Sequence, residues 1–147
     1  MSKYLGIMKP MVLHHCPQIP ESEFLEVLGC WQFSATTPSV SEARFVVTTL
    51  FNQHDLPQAY EAELIVDELV SNAVVHAQTD FELALERWRD CIRIIVRDMS
   101  PNLPQMRTPD PLAENGRGLF MIENVAHEWG HHPYENGKCV WARLVVA

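Results

Sequence analysis

The sequence of 147 residues has the length of one domain, which can bury a single core without disulfides or structural metal. Hydrophobic residues make up 47% and charged residues 20%, which is typical of folded globular proteins and excludes the disordered and fibrous classes. The formal net charge is -8 and the Lys and Arg residues are scattered, so the basic surface of a direct nucleic-acid binder is not expected.

The first thirty residues are predicted to be an N-terminal extension of unknown role, followed by one domain over residues 31–147. The extension has an acidic cluster and three prolines but no continuous apolar segment, so we expect neither a signal peptide nor a membrane span. The cysteines form no C-x-x-C pair, which argues against a zinc ribbon or a redox motif. We therefore expect a cytoplasmic protein with reduced thiols at Cys16, Cys30, Cys91 and Cys139.

A short strand at residues 31–36 and a helix after it are the first predicted elements of the domain. The strand alternates weakly between apolar and polar residues and stops at a turn signal. Thr37 can cap the helix, Pro38 suits its first position, and Ser39 with Glu42 matches the S-x-x-E capping box. The buried face of this helix is predicted to comprise Ala43, Val46, Val47, Leu50 and Phe51.

A second helix is predicted over residues 58–77, after a break at residues 54–57, because apolar residues recur there at helical spacing. Two runs that alternate between apolar and polar residues, 81–85 and 92–96, then predict an antiparallel hairpin. Four prolines between residues 99 and 115 exclude regular structure over most of that segment. A loop of this length in a small domain indicates a function, and we expect a lid.

A short helix and a hairpin complete the predicted elements. Asn136 with Gly137 offers a tight turn that leads into a last strand, which has apolar residues at alternate positions over 140–146. The order of strands and helices describes an α+β fold, a two-layer sandwich with the helices on one sheet face. The buried residues of the short helix are predicted to be Leu119, Ile122, Val125 and Ala126.

Three polar residues of the second helix follow one another at intervals of four and therefore share one helical face. They are Glu68, Asn72 and His76. A carboxylate and a carboxamide at the margin of an apolar face need a ligand, a metal ion or a partner group to satisfy them. Side chains with this spacing can bind Mg²⁺. On these residues alone, the alternative that the row is the solvated side of an amphipathic helix stays open.

Two further segments suit a nucleotide. Asp98 ends a predicted strand where the long loop begins, and its carboxylate can accept a hydrogen bond from an adenine amino group. At the far end of the loop the short helix begins, and glycines there let backbone amides approach phosphate oxygens closely. Together with the polar row, these segments predict an ATP site beneath the lid. The residues at the start of the short helix are Gly116, Arg117, Gly118 and Leu119.

The run ELVSNAVVHA, which starts at Glu68, resembles the N box of the gyrase, heat-shock chaperone, histidine kinase and MutL (GHKL) ATPases. Asp98 and the run GRGLFMIEN, which starts at Gly116, resemble the later boxes of that superfamily. The resemblance implies a Bergerat, or histidine-kinase-like, fold with a mixed, mostly antiparallel sheet. It also implies ATP and Mg²⁺ as cofactors.

Smaller features indicate a branch within the GHKL superfamily. The short length, the D-M-S-P junction at Asp98, the G-R-G-L turn and the Trp129-Gly130 step resemble the stand-alone anti-sigma-factor serine/threonine kinases of the actinobacterial type. The resemblance covers residues 31–146. It implies a kinase and anti-sigma factor that acts on an anti-sigma-antagonist partner of the STAS type and binds a sigma factor, with a homodimer as a family expectation.

The same resemblance assigns roles to individual residues. It implies that Asn72 coordinates Mg²⁺, that Glu68 orients or deprotonates the attacking hydroxyl, and that Asp98 binds adenine. Two positions depart from the family pattern, because Ser100 stands where many relatives have the glycine of D-x-G and Cys139 stands where close relatives often have threonine. The remaining nucleotide-binding positions implied by the resemblance are His76, Ser100, Gly116, Arg117, Gly118, Leu119 and Cys139.

Two alternatives of other classes stay open. In one, ATP is held without phosphoryl transfer and the domain is a nucleotide-gated binding module. In the other, residues 127–131 match the H-E-x-x-H pattern of zinc proteases, although an internal glycine and the nearby Pro133 disfavour the helix that this pattern needs. We expect instead that these residues are the end of the lid helix and the start of a strand, with Trp129 directed inward and the histidines exposed. Gly137-Lys138 is interpreted as a hairpin turn.

Overall fold

Six strands form one sheet in the computed structural model, which describes residues 3–4, 21–100, 126–134 and 137–146. The strands are β1 (Lys3–Tyr4), β2 (Phe24–Phe33), β3 (Phe81–Trp88), β4 (Cys91–Asp98), β5 (Glu128–Tyr134) and β6 (Gly137–Val145). Their order across the sheet is β1-β2-β3-β4-β6-β5, and all five pairings are antiparallel. The expected mixed sheet is thus corrected for these strands. A parallel pair needs a long crossover, and the connection between β3 and β4 consists of only residues 89 and 90.

The hairpin predicted from the two alternating runs is confirmed. β3 pairs with β4 in an uninterrupted register that extends from Phe81 opposite Asp98 to Arg87 opposite Ile92. Because side chains in a strand point alternately to the two faces, this register aligns the apolar residues of both strands beneath the helices.

The last strand is also confirmed, but it begins earlier than predicted. Gly137 is its first residue and lies opposite Tyr134 of β5, while Lys138 lies opposite Asp98 of β4. Gly137 and Lys138 therefore belong to the strand, which corrects the interpretation of this pair as a hairpin turn. The physical reason is that pairing with β4 continues to the end of that strand and holds both residues in extended conformation.

The first long strand, β2, begins at Phe24 and ends at Phe33, whereas the sequence predicts a strand at residues 31–36. Two register shifts near its start interrupt the alternation of apolar and polar residues, which hides the strand from periodicity. The predicted domain boundary after residue 30 falls inside β2. Lys3 and Tyr4 also join the sheet, along the free side of β2.

Two helices follow β2, as predicted. α1 comprises Thr37–Gln53, and α2 comprises Ala59–Ser71 and continues without a break as a π-helical segment at Asn72–Ala77. Between α1 and α2 the chain turns at His54 and at Asp55, whose φ of 53° is left-handed. This turn lets the two helices lie side by side on the sheet.

The start of α1 differs by one residue from the prediction. Thr36 is the N-cap, Thr37 is already helical, and Ser39 lies buried in the first turn, where its hydroxyl is 3.0 Å from that of Thr36. Because Ser39 is inside the helix, it does not cap it, and the predicted box with Glu42 is corrected. Thr36 itself makes no side-chain capping bond, and Pro38 lies in the first turn as expected.

The core lies between the helices and one face of the sheet. Every second side chain of β3, β4 and β6 enters it, which is the pattern expected of strands with one face under helices. This arrangement confirms the predicted α+β sandwich. The large residues of the core are Phe33, Phe51, Ile65, Leu69, Phe81, Leu83, Leu85, Ile92, Ile94 and Leu144.

The opposite face of the sheet is buried at its centre as well. Arg93 of β4 is 0% exposed, and its guanidinium lies 4.7 Å from the ring centre of Trp88 and 5.2 Å from that of Trp141. In the sheet register Arg93 stands between Glu86 of β3 and Arg143 of β6. Stacking on two indole rings suits a guanidinium that has lost its hydration.

Several predicted elements fall outside the described residues. They are most of the lid loop, the short helix up to residue 125 and Asn136 of the turn. Ala126, the first residue described after the gap, packs against the core. Of the helices that the structure describes, none has the length and apolar character that crossing a membrane requires. The site residues that fall in the gap are Gly116, Arg117, Gly118 and Leu119.

Candidate functional site

The second helix changes its hydrogen-bonding pattern where the sequence predicts the site. The change occurs at Asn72, and the π-helical segment ends at Gln78, which has a left-handed φ of 57°. The N–H of Gln78 donates to the carbonyl of Ala73, five residues earlier. Short π-helical segments next to α-helices are frequent at functional sites, because the wider turn changes where the side chains point.

The π-helical segment changes the geometry of the predicted polar row. Glu68 and Asn72 are one α-helical turn apart, and the N–H of Asn72 donates to the carbonyl of Glu68. His76 lies within the wider turns and is exposed, so the row does not continue to it with α-helical spacing. The adjacent β-branched residues Val74 and Val75 lower the α-helical propensity of this stretch slightly, but they do not specify a π-helix.

The side chain of Asn72 is only 7% exposed. Within the described residues, neither its amide oxygen nor its amide nitrogen has a hydrogen-bond partner. Burial of an unsatisfied polar group costs about 1–3 kcal/mol, so most buried amides in proteins are hydrogen-bonded. An amide oxygen is among the hard ligands that Mg²⁺ takes, and an amide N–H can donate to a phosphate oxygen. Asn72 therefore fits a role in holding a metal–phosphate group.

Glu68 is half-buried on α2, one turn before Asn72. Burial raises the pKa of its carboxyl above the ordinary value, and the negative charge of the neighbouring Asp67 raises it further. Asp67 itself accepts a hydrogen bond of 3.3 Å from Arg44 of α1. A raised pKa makes a carboxylate a stronger proton acceptor, which suits a general base.

Asp98 ends β4 and is 2% exposed. One carboxylate oxygen accepts a hydrogen bond of 2.8 Å from the backbone N–H of Ser100, and the other lies 2.8 Å from Nζ of Lys138. Because the contact with Ser100 uses its backbone N–H, it does not need the glycine of the family pattern. The positive φ values of the described non-glycine residues are at Asp55 and Gln78, so the conformation of Ser100 does not need glycine either.

Lys138 is the candidate site residue that sequence reasoning missed. It is 2% exposed. On β6 it lies two residues before Val140, in the series of every second position whose apolar side chains face the helices. This period of two is visible in the sequence and could have identified Lys138, because it predicts that its side chain points to the same sheet face as those of Val140 and Ala142. Gly137 beside it allows a close approach of the strands, since a Cβ there would collide with the backbone carbonyl of Asp98.

The structure brings Asn72 and Asp98 to the same layer. The π-helical segment contacts β4, and Val96, two residues before Asp98, belongs to the core beneath the helices. Cys139 is not brought to this layer. Its side chain follows that of Lys138 on β6 and therefore points to the opposite sheet face, where it is fully buried.

Residues 127–131, which match the zinc-protease pattern, lie in a bend and in strand β5. A strand does not place the two histidines one turn apart on a helical face, and Glu128 forms an ion pair of 2.8 Å with Arg143. Trp129 packs against the core and His131 is exposed, as expected. In the described parts of the chain, no group of three or more His, Cys, Asp or Glu is arranged to hold a metal ion.

Comparison with known proteins shows the family of this chain. The sequence matches the family described as histidine kinase-like ATPase domain over residues 33–144, which is most of the chain. The chain belongs to this family. A histidine kinase-like ATPase domain binds ATP, so the layer between the π-helical segment and β4 is a candidate nucleotide site. A search of curated proteins found no match.

Among the solved structures similar to this ATPase domain is a crystal structure of the RsbU and RsbW domains of Rv1364c from Mycobacterium tuberculosis. The two chains share 15% sequence identity and superpose with a TM-score of 0.60. The alignment covers 80% of this chain and 32% of that one, so this chain corresponds to about a third of the length of the other. At this identity the likeness concerns the fold, and it confirms the α+β architecture of the ATPase domain.

Proposed function

We propose that this ATPase domain is a Mg²⁺-dependent serine/threonine kinase that phosphorylates an anti-sigma-antagonist protein of the STAS type and also binds a sigma factor. The observation that carries the kinase chemistry is the buried carboxamide of Asn72, which follows Glu68 by one turn. The resemblance of the sequence boxes to the anti-sigma-factor kinases supplies the class of partner. A sigma-factor partner implies a cytoplasmic protein, and the absence of a disulfide at Cys30, Cys91 and Cys139 among the described residues supports that location.

Asn72 holds the metal end of the nucleotide in this proposal. Its amide oxygen is an oxygen ligand of the kind that Mg²⁺ takes, and it has no competing partner among the described residues. When bound there, Mg²⁺ would supply positive charge that offsets the charge of the nucleotide phosphates. The amide nitrogen of Asn72 is then available to donate to a phosphate oxygen, which would satisfy both atoms of the buried side chain.

Asp98 holds the base end of the nucleotide. Two donors orient its carboxylate, and each oxygen keeps a further acceptor site. The exocyclic amino group of adenine can donate to such a site, whereas guanine has a carbonyl oxygen at that position. We therefore expect the domain to prefer ATP over GTP.

Glu68 accepts the proton of the attacking Ser or Thr hydroxyl. The hydroxyl oxygen forms a bond to the γ-phosphorus, the bond from that phosphorus to the β,γ-bridging oxygen breaks, and ADP leaves. Burial raises the pKa of Glu68, which increases its affinity for the proton. Most of the rate enhancement in phosphoryl transfer comes from positioning and charge neutralisation, so Glu68 contributes only part of it.

Loss of the Glu68 carboxylate separates phosphoryl transfer from nucleotide binding. In Glu68→Ala, transfer of labelled phosphate from ATP to a purified antagonist domain is expected to fall by about 100-fold or more, which is typical for a general base. The dissociation constant of ATP should change little, because Asn72 and Asp98 remain. Glu61→Ala, which removes a carboxylate from the first turn of the same helix, is the matched control and should transfer at the wild-type rate.

Each outcome of this experiment decides between the candidate functions. Transfer that persists in Glu68→Ala contradicts the proposed base. A wild-type protein that binds ATP tightly but transfers no phosphate to any antagonist domain tested supports the nucleotide-gated binding module instead. A wild-type protein that does not bind ATP contradicts the site itself.

A further inference from the structure

We infer that Lys138 is a positioning residue that sets the base preference of the nucleotide site by holding the carboxylate of Asp98. The inference rests on the proposed function, in which Asp98 accepts a hydrogen bond from the base amino group. Its starting point is an ion pair of 2.8 Å between Nζ of Lys138 and Oδ2 of Asp98, with both side chains almost fully buried. The pair joins the ends of β6 and β4 on the face that carries the helices.

Stability alone does not explain the pair of Asp98 and Lys138. Both groups lose their hydration on burial, and well-packed apolar residues of similar volume often stabilise a fold as well as a buried ion pair does. Other positions at the same ends of the strands are apolar, such as Phe81 opposite Asp98 on β3 and Val140 two residues after Lys138. A charged pair at this place therefore indicates a function of the polar groups themselves.

The two donors around Asp98 determine how its carboxylate is oriented. The backbone N–H of Ser100 donates to Oδ1 and the ammonium of Lys138 donates to Oδ2. Each oxygen uses one lone pair in these bonds, so the plane of the group is held from both sides and each oxygen keeps another acceptor site. Both bonds end on a charged acceptor, but only the bond to Lys138 also has a charged donor, and it is therefore the stronger restraint.

The backbone keeps Lys138 in place. Gly137 lies against the carbonyl of Asp98, and this close approach sets Lys138 directly opposite Asp98 in the register of β6 and β4. A lysine is flexible when it is exposed, but here its stem is buried and its ammonium meets one carboxylate. The restraint on Asp98 is thus present before any nucleotide arrives, which lowers the entropy lost on binding.

Base preference is the property that tests the role of Lys138. Isothermal titration calorimetry with Mg²⁺ would give dissociation constants for ATP and for inosine triphosphate, in which a carbonyl replaces the 6-amino group. The wild-type protein is expected to bind ATP at least about tenfold more tightly, the value of one hydrogen bond to a charged group. In Lys138→Met this ratio should fall close to one, mainly through weaker binding of ATP.

Arg97→Met is the matched control for Lys138→Met. Arg97 precedes Asp98 on β4 and forms a 2.9 Å ion pair with Glu82 of β3, but its side chain points to the opposite sheet face. The variant removes one positive charge and one ion pair from the same end of the sheet. It should keep the wild-type ratio between the two nucleotides.

Two further variants separate positioning from a general structural effect. In Asp98→Asn, adding Lys138→Met should leave the nucleotide ratio unchanged, because Lys138 acts through Asp98 and the two effects are coupled. Lys138→Gln keeps a hydrogen-bond donor without the charge and should recover part of the ratio lost in Lys138→Met. It also provides the measurement if thermal unfolding shows that Lys138→Met does not fold.

The outcomes distinguish this inference from the proposed function. A wild-type protein that binds no ATP refutes the proposed function, whatever Lys138 does. A wild-type protein that prefers ATP, together with an unchanged ratio in Lys138→Met, refutes the role of Lys138 alone. If Lys138→Met does not fold, an unchanged ratio in Lys138→Gln refutes it instead. Additive effects of Asp98→Asn and Lys138→Met refute it too, because Lys138 would then act independently of the carboxylate. A wild-type ratio near one overturns the inference through its premise about Asp98.

Discussion

Asn72 and Asp98 lie in the same layer of the molecule but differ in how their buried polar atoms are satisfied. Asp98 has a donor at each oxygen, whereas Asn72 has no hydrogen-bond partner for its amide among the described residues. For folding alone, an apolar side chain of similar size would serve better at position 72. Retention of a residue that destabilises the fold is typical of functional sites, where activity and stability conflict.

Replacement of Asn72 by leucine tests this conflict directly. Asn72→Leu removes two unsatisfied buried atoms at similar volume, so the free energy of unfolding of the nucleotide-free protein should rise by about 1 kcal/mol. The same change should abolish the dependence of ATP affinity on Mg²⁺. Urea denaturation and ATP titrations with Mg²⁺ or with a chelator measure the two effects.

Asn52→Leu is the control for this substitution, because Asn52 lies exposed on α1. It should leave both the stability and the Mg²⁺ dependence within the range of ordinary surface substitutions, about 0.5 kcal/mol. A less stable Asn72→Leu protein that still binds ATP with full Mg²⁺ dependence would contradict the role given to Asn72.

At the scale of the elements, the sequence located the bounds of both helices within one residue, but it did not indicate that the second helix changes type at Asn72. The Thr-Pro signal placed the start of α1 within one residue, because capping and the fixed φ of proline are local properties. The second helix ends at Gln78 in the left-handed conformation, a position that glycine usually occupies. No residue of the segment 72–77 indicates in the sequence that the helix changes from α to π.

The left-handed residue at the end of the second helix predicts a stabilising substitution. A non-glycine residue in this conformation costs about 1–2 kcal/mol, and glycine costs about 0.5–1 kcal/mol in chain entropy. Gln78→Gly should therefore raise the free energy of unfolding by about 0.5 kcal/mol. The midpoint of urea unfolding should increase while its m value stays constant.

Gln53→Gly is the control, and it should change the free energy of unfolding in the opposite direction. Gln53 is the exposed last residue of α1 and is helical, so glycine there should lower the free energy of unfolding by about 1 kcal/mol. Equal destabilisation by both substitutions would show that the left-handed conformation of Gln78 carries no strain.

At the scale of the whole molecule, the centre of the sheet is buried on both faces, and a row of charged residues crosses the face opposite the helices. Glu86, Arg93, Arg143 and Glu128 stand opposite one another across β3, β4, β6 and β5. Burial raises the pKa of Glu86 from 4.5 to about 7, and the hydrogen bond from Trp88 and the charge of Arg93 oppose the rise. Folding is thereby coupled to the uptake of a proton.

The raised pKa of Glu86 predicts the sign of a pH dependence. Between pH 4.5 and about 7 the folded protein holds a proton that the unfolded chain releases, so the free energy of unfolding should decrease as the pH rises through this range. The shift corresponds to about 3 kcal/mol. In Glu86→Gln this contribution is absent, so the variant should gain stability relative to the wild type as the pH increases from 4.5 to 7.

Urea unfolding at several pH values measures the difference between Glu86→Gln and the wild-type protein. The difference at pH 4, where Glu86 is protonated in both states, gives the cost of the substitution itself. A difference that stays constant between pH 4 and pH 8 would show that Glu86 does not titrate with folding.

Local pattern was sufficient for most of the fold. The hairpin of β3 and β4, the last strand and the two helices follow from periods of two and of 3.6 residues, because one face of each element is buried. The strand β2 was found only at its end, since its register shifts break the period. Asp98 was placed correctly at the end of its strand, because a strand boundary next to a proline-rich loop is a local feature.

The sequence by itself determined most of the elements, that they build an α+β sandwich, and that Glu68 and Asn72 lie one turn apart on a helix. Only the tertiary structure decided that Lys138 faces Asp98, that the amide of Asn72 is buried, and that Arg93 lies between two tryptophans. Periodicity reports which face of a strand or helix is apolar, and that property is local. Contacts between residues far apart in the chain depend on strand order, register and burial, which are set when the sheet assembles.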